Sequence, residues 1–176
     1  MWRSMTYVIE TPSTLNDRQE VQDIILEFYT FQANRLYKSG GPKIAPERPV
    51  EGFWQDIDKY FPPIGALTLA RATAGHLVGC GAMTDIGDGI AEFKYLWVKP
   101  EARGTGLGRE LVEKRIDIAR AMGLKQVRVD TLKSSIEMHT LYASMGFEKV
   151  AEFPQSKSIR DFSVLADHLD FYRMDI

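Results

Sequence analysis

Seven consecutive residues carry the clearest chemical signal in the sequence: Arg103-Gly104-Thr105-Gly106-Leu107-Gly108-Arg109. They follow an apolar run that is typical of a strand and precede apolar residues at helical spacing. Glycine lets the backbone approach an anion closely, and the first N–H groups of a helix have no partner within the helix. The helix dipole adds positive potential there, and Arg103 and Arg109 add charge. We therefore interpret this turn as a site for a phosphate or pyrophosphate.

Two better-known phosphate motifs fit these residues poorly. A Walker loop ends in Gly-Lys-Ser/Thr, and this sequence has no such ending. A dinucleotide fingerprint needs a glycine three residues after Gly106, where Arg109 stands, and it belongs to an N-terminal strand-helix-strand unit. A plain turn from strand to helix, in which glycine only permits tight packing, stays open as the structural alternative.

Apolar periodicity and Gly or Pro breaks predict the elements that position this turn. Strands are predicted over residues 6–10, 66–71, 76–85, 90–98, 127–132, 147–153 and 167–176, and loops over residues 42–50 and 154–162. Helices are predicted over residues 16–37, 52–60 and 106–122, and a fourth follows a capping box at Ser134-Ser135-Ile136-Glu137 and ends at Met145. A meander followed by alternating strands and helices predicts an α/β domain with helices packed against a mixed sheet.

Composition limits the classes of protein to which the chain can belong. Its 176 residues, 44% hydrophobic and 26% charged, are typical of one soluble domain, so we assign residues 1–176 to a single domain. The net charge of −2 and the scattered bases argue against a nucleic-acid partner. Three His and one Cys give no metal-ligand spacing, so no metal is expected. Because no apolar leader or membrane-length segment is recognised, we expect a cytoplasmic protein without a membrane partner.

Three segments together resemble the motifs of one family, the GNAT superfamily of N-acetyltransferases. Arg103, Gly106 and Gly108 match its Arg-x-x-Gly-x-Gly motif. Residues 96–101, Leu-Trp-Val-Lys-Pro-Glu, resemble the strand end that precedes that motif, and residues 141–147, Leu-Tyr-Ala-Ser-Met-Gly-Phe, resemble its second motif, Leu-Tyr-x-x-x-Gly-Phe. The resemblance covers about residues 76–153 and is weak over residues 1–75 and 154–176, where the family's substrate determinants vary.

The resemblance implies the acyl-CoA N-acyltransferase fold, a mixed and mostly antiparallel sheet of about seven strands with about four helices. The sheet would be splayed between the strand at 90–98 and the strand at 126–132, and the pantetheine arm of acetyl-CoA, the implied co-substrate, would lie in that gap. The cofactor-binding residues so implied are Leu96, Trp97, Val98, Arg103, Gly104, Thr105, Gly106, Leu107, Gly108, Arg109 and Ser135. The family's habit of pairing last strands also leaves a homodimer open.

The implied reaction is the attack of a neutral primary amine on a thioester, within a ternary complex. Glu92 is our candidate base, because it stands eleven residues before Arg103, as a base glutamate does in the histone-modifying branch of the family. Burial beside Phe93 and Tyr95 would raise its pKa toward the useful range. The alternatives are an exposed strand carboxylate paired with a lysine, or a base at Asp130 or in a water chain.

Tyr142 is our candidate general acid, because a positioned phenol can protonate the departing thiolate as the C–S bond breaks. Its alternative is a tyrosine that closes the core. The backbone N–H of Val98 would meet the oxyanion. Ser135 stands where many family members have an asparagine that bonds pantetheine, but as part of the capping box it is favoured as a helix cap.

The acceptor is the least determined part of the prediction. We assign substrate binding to Phe31, Arg35 and Trp54, because the first helices cover the acceptor side in this family. Aromatic rings and one cation would suit a small-molecule or peptide amine with a carboxylate. Ordinary core aromatics and a solvated arginine are the alternative. A non-catalytic acyl-CoA sensor would keep the fold and the cofactor site without the reaction.

Overall fold

Seven strands form one sheet in the computed structural model, which describes residues 5–153 and 155–176. The strands are β1 (Tyr7–Glu10), β2 (Gly65–Ala72), β3 (Leu77–Asp85), β4 (Ile90–Val98), β5 (Gln126–Leu132), β6 (Glu148–Val150) and β7 (Leu169–Asp175). The α-helices are α1 (Arg18–Lys38), α2 (Glu47–Gln55), α3 (Leu107–Ala121), α4 (Ile136–Ser144) and α5 (Lys157–Asp161). Short 3-10 helices cover Ile57–Tyr60, Pro100–Ala102 and Ser163–His168.

The sheet is mixed and mostly antiparallel, as predicted. Its strand order is β1-β2-β3-β4-β5-β7-β6, and β4 and β5 are the parallel pair. That pair is short, because it extends only from Ile90 opposite Gln126 to Phe93 opposite Val129. Beyond Phe93 the two strands separate, so the predicted splay between them is confirmed.

A bulge marks the place where the strands separate. The register between β3 and β4 shifts between Cys80 and Ala82, and Tyr95 on β4 has a left-handed φ of 59°. Such a conformation is strained for a residue with a large side chain and persists only where the surroundings hold it. The Tyr95 ring lies edge-on to the Phe53 ring at 5.1 Å, and its hydroxyl is 3.0 Å from that of Tyr60. Packing against α2 and the following turn therefore holds β4 in its bent form.

Helices cover both faces of the sheet. On one face α1 and α2 bury an apolar cluster that includes Val21, Ile25 and Phe53. On the other face Val112 and Ile116 of α3 pack with Phe93 of β4 and Val129 of β5. Asp17 caps α1 by accepting the N–H groups of Gln19 and Glu20 at 2.9 and 3.2 Å. Over the described ranges, no helix is both long and apolar enough to cross a bilayer.

Several predicted boundaries were wrong. The second helix begins at Glu47, inside the predicted loop 42–50, and becomes a 3-10 helix at Ile57. The predicted strand over 147–153 shrinks to Glu148–Val150, since β6 pairs only with that part of β7. The predicted loop 154–162 contains the single turn α5; residue 154 lies outside the described residues. These segments are short, so tertiary contacts rather than local pattern set their ends.

The predicted capping box is not formed. Ser135 precedes α4, but its side chain makes no cap hydrogen bond, and the hydroxyls of Ser134 and Ser135 are buried without a partner among the described residues. Glu137 instead pairs with Arg35 of α1. The Glu137 side chain therefore forms an ion pair with another helix instead of accepting the N–H of the cap residue. The interpretation of Ser135 as a helix cap was therefore wrong.

Candidate active site

The glycine turn presents free N–H groups at the start of α3. Gly106 precedes the helix with a φ of 92°, and Gly104 has a φ of 76°, a region that other residues rarely adopt. The first intrahelical bond is from the Glu110 N–H to the Gly106 carbonyl, at 3.1 Å. The N–H groups of Gly108 and Arg109 therefore have no partner within the helix, as an anion site requires.

Tight packing does not explain the three glycines. A Cβ atom on Gly104 would meet nothing within 4 Å, and one on Gly106 would meet only Glu110 Oε1 at 3.9 Å. Their positive φ values account for both glycines. Neither a positive φ nor crowding applies to Gly108. A Cβ atom added there would make only ordinary contacts, with Val98 at 3.7 Å and Leu141 at 3.9 Å. Neither backbone torsion nor packing within the chain therefore requires glycine at position 108.

A groove leads from this turn into the splay. Its walls come from α1, the end of β4, the turn and α4, and they are Phe31, Arg35, Leu96, Trp97, Val98, Ala102, Arg103, Gly104, Gly106, Leu107, Gly108, Glu137, Met138 and Leu141. Eight of the eleven residues predicted to bind the cofactor are among them: Leu96, Trp97, Val98, Arg103, Gly104, Gly106, Leu107 and Gly108. The structure thus brings most of that predicted set together in one continuous surface.

The arginines that flank the turn are held in place. The guanidinium of Arg103 lies 5.0 Å from the centre of the Trp97 ring and 5.4 Å from that of Phe31, and its Nε donates to the Val98 carbonyl at 3.2 Å. On the other side, Arg109 Nη2 donates to Ser144 Oγ at 2.7 Å. Two cations are therefore available to a diphosphate, each already oriented by a neighbour.

The backbone of β4 is free on its splayed edge. The Lys99 N–H donates to the Val78 carbonyl at 2.9 Å, toward β3. Because backbone groups alternate along a strand, those of Val98 and Leu96 face the gap where β5 has departed. The Val98 carbonyl accepts from Arg103, and the same alternation points the Val98 N–H toward the gap. A pantetheine amide or a carbonyl oxygen can form hydrogen bonds with this edge in the place of the β5 backbone.

A cavity fills the splay and continues to the opposite face of the sheet. Tyr142 of α4 forms part of its wall, is 3% exposed, and packs against the Phe147 ring at a centroid distance of 5.1 Å. Burial raises the pKa of Tyr142 well above its ordinary value, although the nearby Arg115 guanidinium opposes the shift. The phenol is therefore protonated at neutral pH, as a proton donor must be. Tyr142 is both a core residue and a residue of the cavity wall.

Glu92 is buried, so the alternative of an exposed carboxylate was wrong. It is 1% exposed; Oε2 accepts the Lys157 N–H at 3.0 Å, and Oε1 has no partner among the described residues. Burial raises the pKa of Glu92, while the positive charge of Lys94 and the Lys157 N–H oppose the rise. Glu92 does not itself line the splay cavity. The start of α5 covers it.

A polar cluster joins the two separating strands at the wall of the cavity. Lys94 Nζ donates to both oxygens of Asp130, at 3.2 and 3.3 Å, and to Ser158 Oγ at 2.6 Å. Ser158 donates to Asp130 Oδ1 at 2.9 Å, and Ser156 donates to Oδ2. Lys94, Asp130 and Ser158 line the cavity directly. Sequence analysis named Asp130 but missed Lys94, although strand alternation puts Lys94 on the same face as Glu92.

Two of the three predicted acceptor residues lie together, and the third lies elsewhere. Phe31 and Arg35 line the groove, where the Arg35 guanidinium lies 4.5 Å from the centre of the Phe31 ring and pairs with Glu137 across the groove. Trp54 lines neither the groove nor the cavity. Its Nε1 donates to Gln22, and the Arg18 guanidinium lies 4.2 Å from its ring centre.

Helix α1 contributes other residues to the acceptor side. Phe28, Tyr29 and Gln32 line the splay cavity opposite Tyr142, and the side-chain oxygen of Gln32 is buried without a partner among the described residues. Sequence analysis missed all three as site residues. Phe28 was recognisable only as part of the apolar periodicity of the helix, which does not distinguish a cavity wall from a core.

Comparison with known proteins gives one consistent result. The family model described as "Acetyltransferase (GNAT) family" matches residues 20–147. An uncharacterised N-acetyltransferase of Schizosaccharomyces pombe is 38% identical over 91 residues, which cover 51% of this chain and 56% of that protein. The IAA acetyltransferase of Azospirillum brasilense is 39% identical over 80 residues, which cover 45% and 52%. The chain thus spans about half the length of these two relatives.

Solved structures show the same fold. A GNAT-family acetyltransferase from Staphylococcus aureus superposes with a TM-score of 0.76 at 18% identity, covering 97% of this chain and 99% of that chain. The superposition includes the amino- and carboxyl-terminal regions that no sequence motif identified.

Proposed function

The chain belongs to the GNAT family of acetyltransferases, and from this premise we propose that it moves an acetyl group from acetyl-CoA to a primary amine of a small molecule or peptide. One observation supports the proposal above the others. The free N–H groups at the start of α3 and the free edge of β4 open into one continuous groove. A diphosphate at the first and an extended arm along the second would place a thioester in the splay cavity.

Cofactor binding in this proposal uses backbone more than side chains. The N–H groups of Gly108 and Arg109 meet the pyrophosphate, helped by the helix dipole and by the charges of Arg103 and Arg109. The pantetheine amides pair with the backbone at Leu96 in the place that β5 leaves vacant, and the Val98 N–H is left for the reacting carbonyl. Leu141 and Met138 of α4 form the apolar wall on the other side of the arm.

Transfer is a direct attack within a ternary complex. The amine nitrogen bonds to the thioester carbonyl carbon, and the oxyanion that develops is stabilised by the Val98 N–H. The C–S bond then breaks, and the departing thiolate takes a proton from the Tyr142 hydroxyl. The products are an N-acetylated amine and free coenzyme A. Tyr142 is placed for this role because its side chain lines the cavity, although the burial that raises its pKa also makes it a weaker proton donor than an exposed phenol.

Glu92 receives the proton that the attacking amine releases. Its Oε1 oxygen is buried and has no partner among the described residues, and its raised pKa makes it a stronger base than a solvated carboxylate. Because Lys94, Asp130 and Ser158 line the cavity and Glu92 does not, the proton reaches Glu92 through a relay, either that cluster or a water molecule. Asp130 is the competing base, because it lines the cavity itself.

The acceptor enters from the face that α1 and α5 cover. There the cavity offers the aromatic rings of Phe28 and Tyr29, the unpaired Gln32 oxygen and the charged pair of Lys94 and Asp130. An unpaired buried amide oxygen is costly unless a ligand satisfies it. A compact, polar amine fits this description.

Titration calorimetry with acetyl-CoA, followed by a screen for release of free thiol over a panel of amines, tests the proposal. We expect saturable binding of acetyl-CoA and thiol release that depends on both substrates. Binding without turnover on any amine would favour an acyl-CoA sensor. No binding of any coenzyme A derivative would overturn the proposed function altogether.

A further inference from the structure

Arg115 is a buried cation with no carboxylate partner among the residues that the structure describes. It lies in α3 and is 1% exposed. Its Nε donates to the Leu111 carbonyl at 3.0 Å, and its Nη1 donates to the carbonyls of Ala82 at 3.0 Å and Lys94 at 3.3 Å. Its Nη2 is buried and has no acceptor among those residues. Neutral carbonyls thus hold the guanidinium, and no carboxylate of the described residues forms a salt bridge with it.

The surrounding strands are shaped to accept this side chain. A Cβ atom on Gly81 of β3 would lie 2.8 Å from Arg115 Cζ, so only glycine leaves room for the guanidinium. From β4, the Phe93 ring centre lies 4.6 Å from the same Cζ. Burying a charge without a counter-charge destabilises the folded chain. A partner absent from the chain itself would remove part of that cost.

The position of Arg115 indicates which partner this is. Arg115 lines the splay cavity together with Phe93, Leu96 and Tyr142. In the proposed binding mode the sulfur lies in this cavity near Tyr142, so the acyl group extends beyond it toward the cavity wall. Burial lowers the pKa of Arg115 to about 10, so the guanidinium remains charged at neutral pH. The end of the acyl group therefore meets a desolvated positive charge.

We propose that Arg115 binds the terminal carboxylate of a dicarboxylic acyl group, so that the chain accepts a malonyl-CoA or succinyl-CoA donor besides acetyl-CoA. This inference rests on the proposed function, because it concerns the acyl donor of the same transfer. The free Nη2 group donates to the carboxylate, and the carboxylate neutralises the buried charge. The transfer itself is unchanged: an amide bond forms, the C–S bond breaks, and the carboxylate takes no part in either.

Apolar residues of the cavity wall near Arg115 do not favour a carboxylate over an uncharged acyl group. Phe93, Val129 and Met138 are apolar and would accept an uncharged chain of the same length equally well. A preference for a carboxylate over a methyl group at the same chain length therefore reports on a cation of the cavity wall, Arg115 or Lys94, and substitution of Arg115 distinguishes the two.

The test compares acyl-CoA donors matched in length, succinyl-CoA with butyryl-CoA and malonyl-CoA with propionyl-CoA, in affinity and in kcat/KM. For at least one pair, we expect the wild type to prefer the carboxylate by about tenfold or more, the value of one charge-assisted hydrogen bond. Arg115→Met should abolish this preference, whereas Arg115→Lys should retain part of it. Arg120→Met is the control, since it removes an exposed cation from the same helix.

Equal affinities for both members of each pair in the wild type would overturn the inference, even if Arg115→Met does not fold. A preference that survives in Arg115→Met would also overturn it. If acetyl-CoA binds and is turned over while no carboxylate preference exists, the proposed function stands and only this inference fails. If no acyl-CoA binds at all, both fail together.

Discussion

At the scale of single residues, the mechanism depends on how the carboxylate of Glu92 is buried. One of its oxygens accepts the Lys157 N–H, Lys94 contributes a nearby positive charge, and burial still raises its pKa. A buried carboxylate with one unsatisfied oxygen is costly for stability, and such groups concentrate at functional sites. Three predictions about activity and stability follow at this scale.

Glu92→Gln should lower kcat/KM at neutral pH by about 100-fold or more, because general bases contribute on that order. Acetyl-CoA affinity should be unchanged, since Glu92 is not part of the groove. The measurement is the pH profile of kcat/KM, in which the acidic limb of the wild type should disappear in the variant. If Asp130→Asn removes that limb while Glu92→Gln retains it, the base is Asp130.

The same substitution should change how stability depends on pH. Because the pKa of Glu92 is higher in the folded than in the unfolded chain, folding favours its protonated form. The stabilisation that this provides is complete below the unfolded pKa, about 4.3, and is lost as the pH rises through the folded pKa. Denaturant unfolding at several pH values should therefore show Glu92→Gln gaining stability relative to the wild type between pH 4 and pH 8. A relative loss would contradict the raised pKa.

Tyr142→Phe should lower kcat by about 100-fold, because the departing thiolate loses its proton donor. Its free energy of unfolding should change by no more than about 1 kcal/mol, since the ring remains and only a hydroxyl is lost. The control is Tyr172→Phe, whose ring packs against that of Tyr142 at 5.5 Å while its hydroxyl bonds to His139. Full turnover in Tyr142→Phe would assign Tyr142 to the core alone.

Site residues could be recognised from the sequence where they stand at a fixed distance from a motif. Glu92 and Tyr142 were recognised from their position relative to the motifs, and the structure buries both at the splay. Arg115 was missed, although it follows Leu111 by one helical turn and so lies on the apolar face of its helix. Gln32 had no such signal, because only the fold brings α1 against the splay cavity.

At the scale of elements, the turn between β4 and α3 contains two glycines that the fold requires and one that it does not. Gly108 occupies an ordinary helical position with room for a methyl group, so the fold itself does not require glycine there. Gly104 and Gly106 differ, because their positive φ values would strain any other residue.

Gly108→Ala should therefore raise the free energy of unfolding by up to about 1 kcal/mol, the advantage of alanine over glycine within a helix. It should also weaken acetyl-CoA binding by about tenfold or more, because a methyl group at the phosphate would cost at least one backbone hydrogen bond. Gly52→Ala in α2 is the matched control, since its Cβ would meet only Asp161 at 3.7 Å and Lys157 at 3.9 Å, outside the groove. Unweakened binding in Gly108→Ala would argue against the phosphate site.

Long elements with clear periodicity were predictable from the sequence, and short ones were not. The strand over residues 90–98 was predicted with its observed bounds, and α1 and α3 deviate by one or two residues at each end. By contrast, α5 was missed, because its single turn is stabilised by contacts with Asp56 and Glu92 that are remote in sequence. The capping box failed for the same reason, since Glu137 found its partner in α1.

At the scale of the whole molecule, one departure from regular sheet geometry organises the site. The parallel pairing of β4 and β5 ends at Phe93 and Val129; the free edge of β4 and the polar cluster of Lys94 and Asp130 lie beyond that point, whereas the proposed base Glu92 stands one residue before it. Local pattern predicted the strands on either side, but the splay itself was inferred only through resemblance to a family. Strand separation depends on the packing of helices on both faces, which no short stretch of sequence encodes.

The central claim is that one molecule of acetyl-CoA binds with its diphosphate at the start of α3 and its thioester in the splay. Calorimetric titration of the wild type with acetyl-CoA and with S-acetylpantetheine, which has the same arm and thioester but no diphosphate, tests this most directly. We predict one saturable site for acetyl-CoA and far weaker binding of S-acetylpantetheine. Equal affinity for the two compounds, or no heat with acetyl-CoA, would contradict the account.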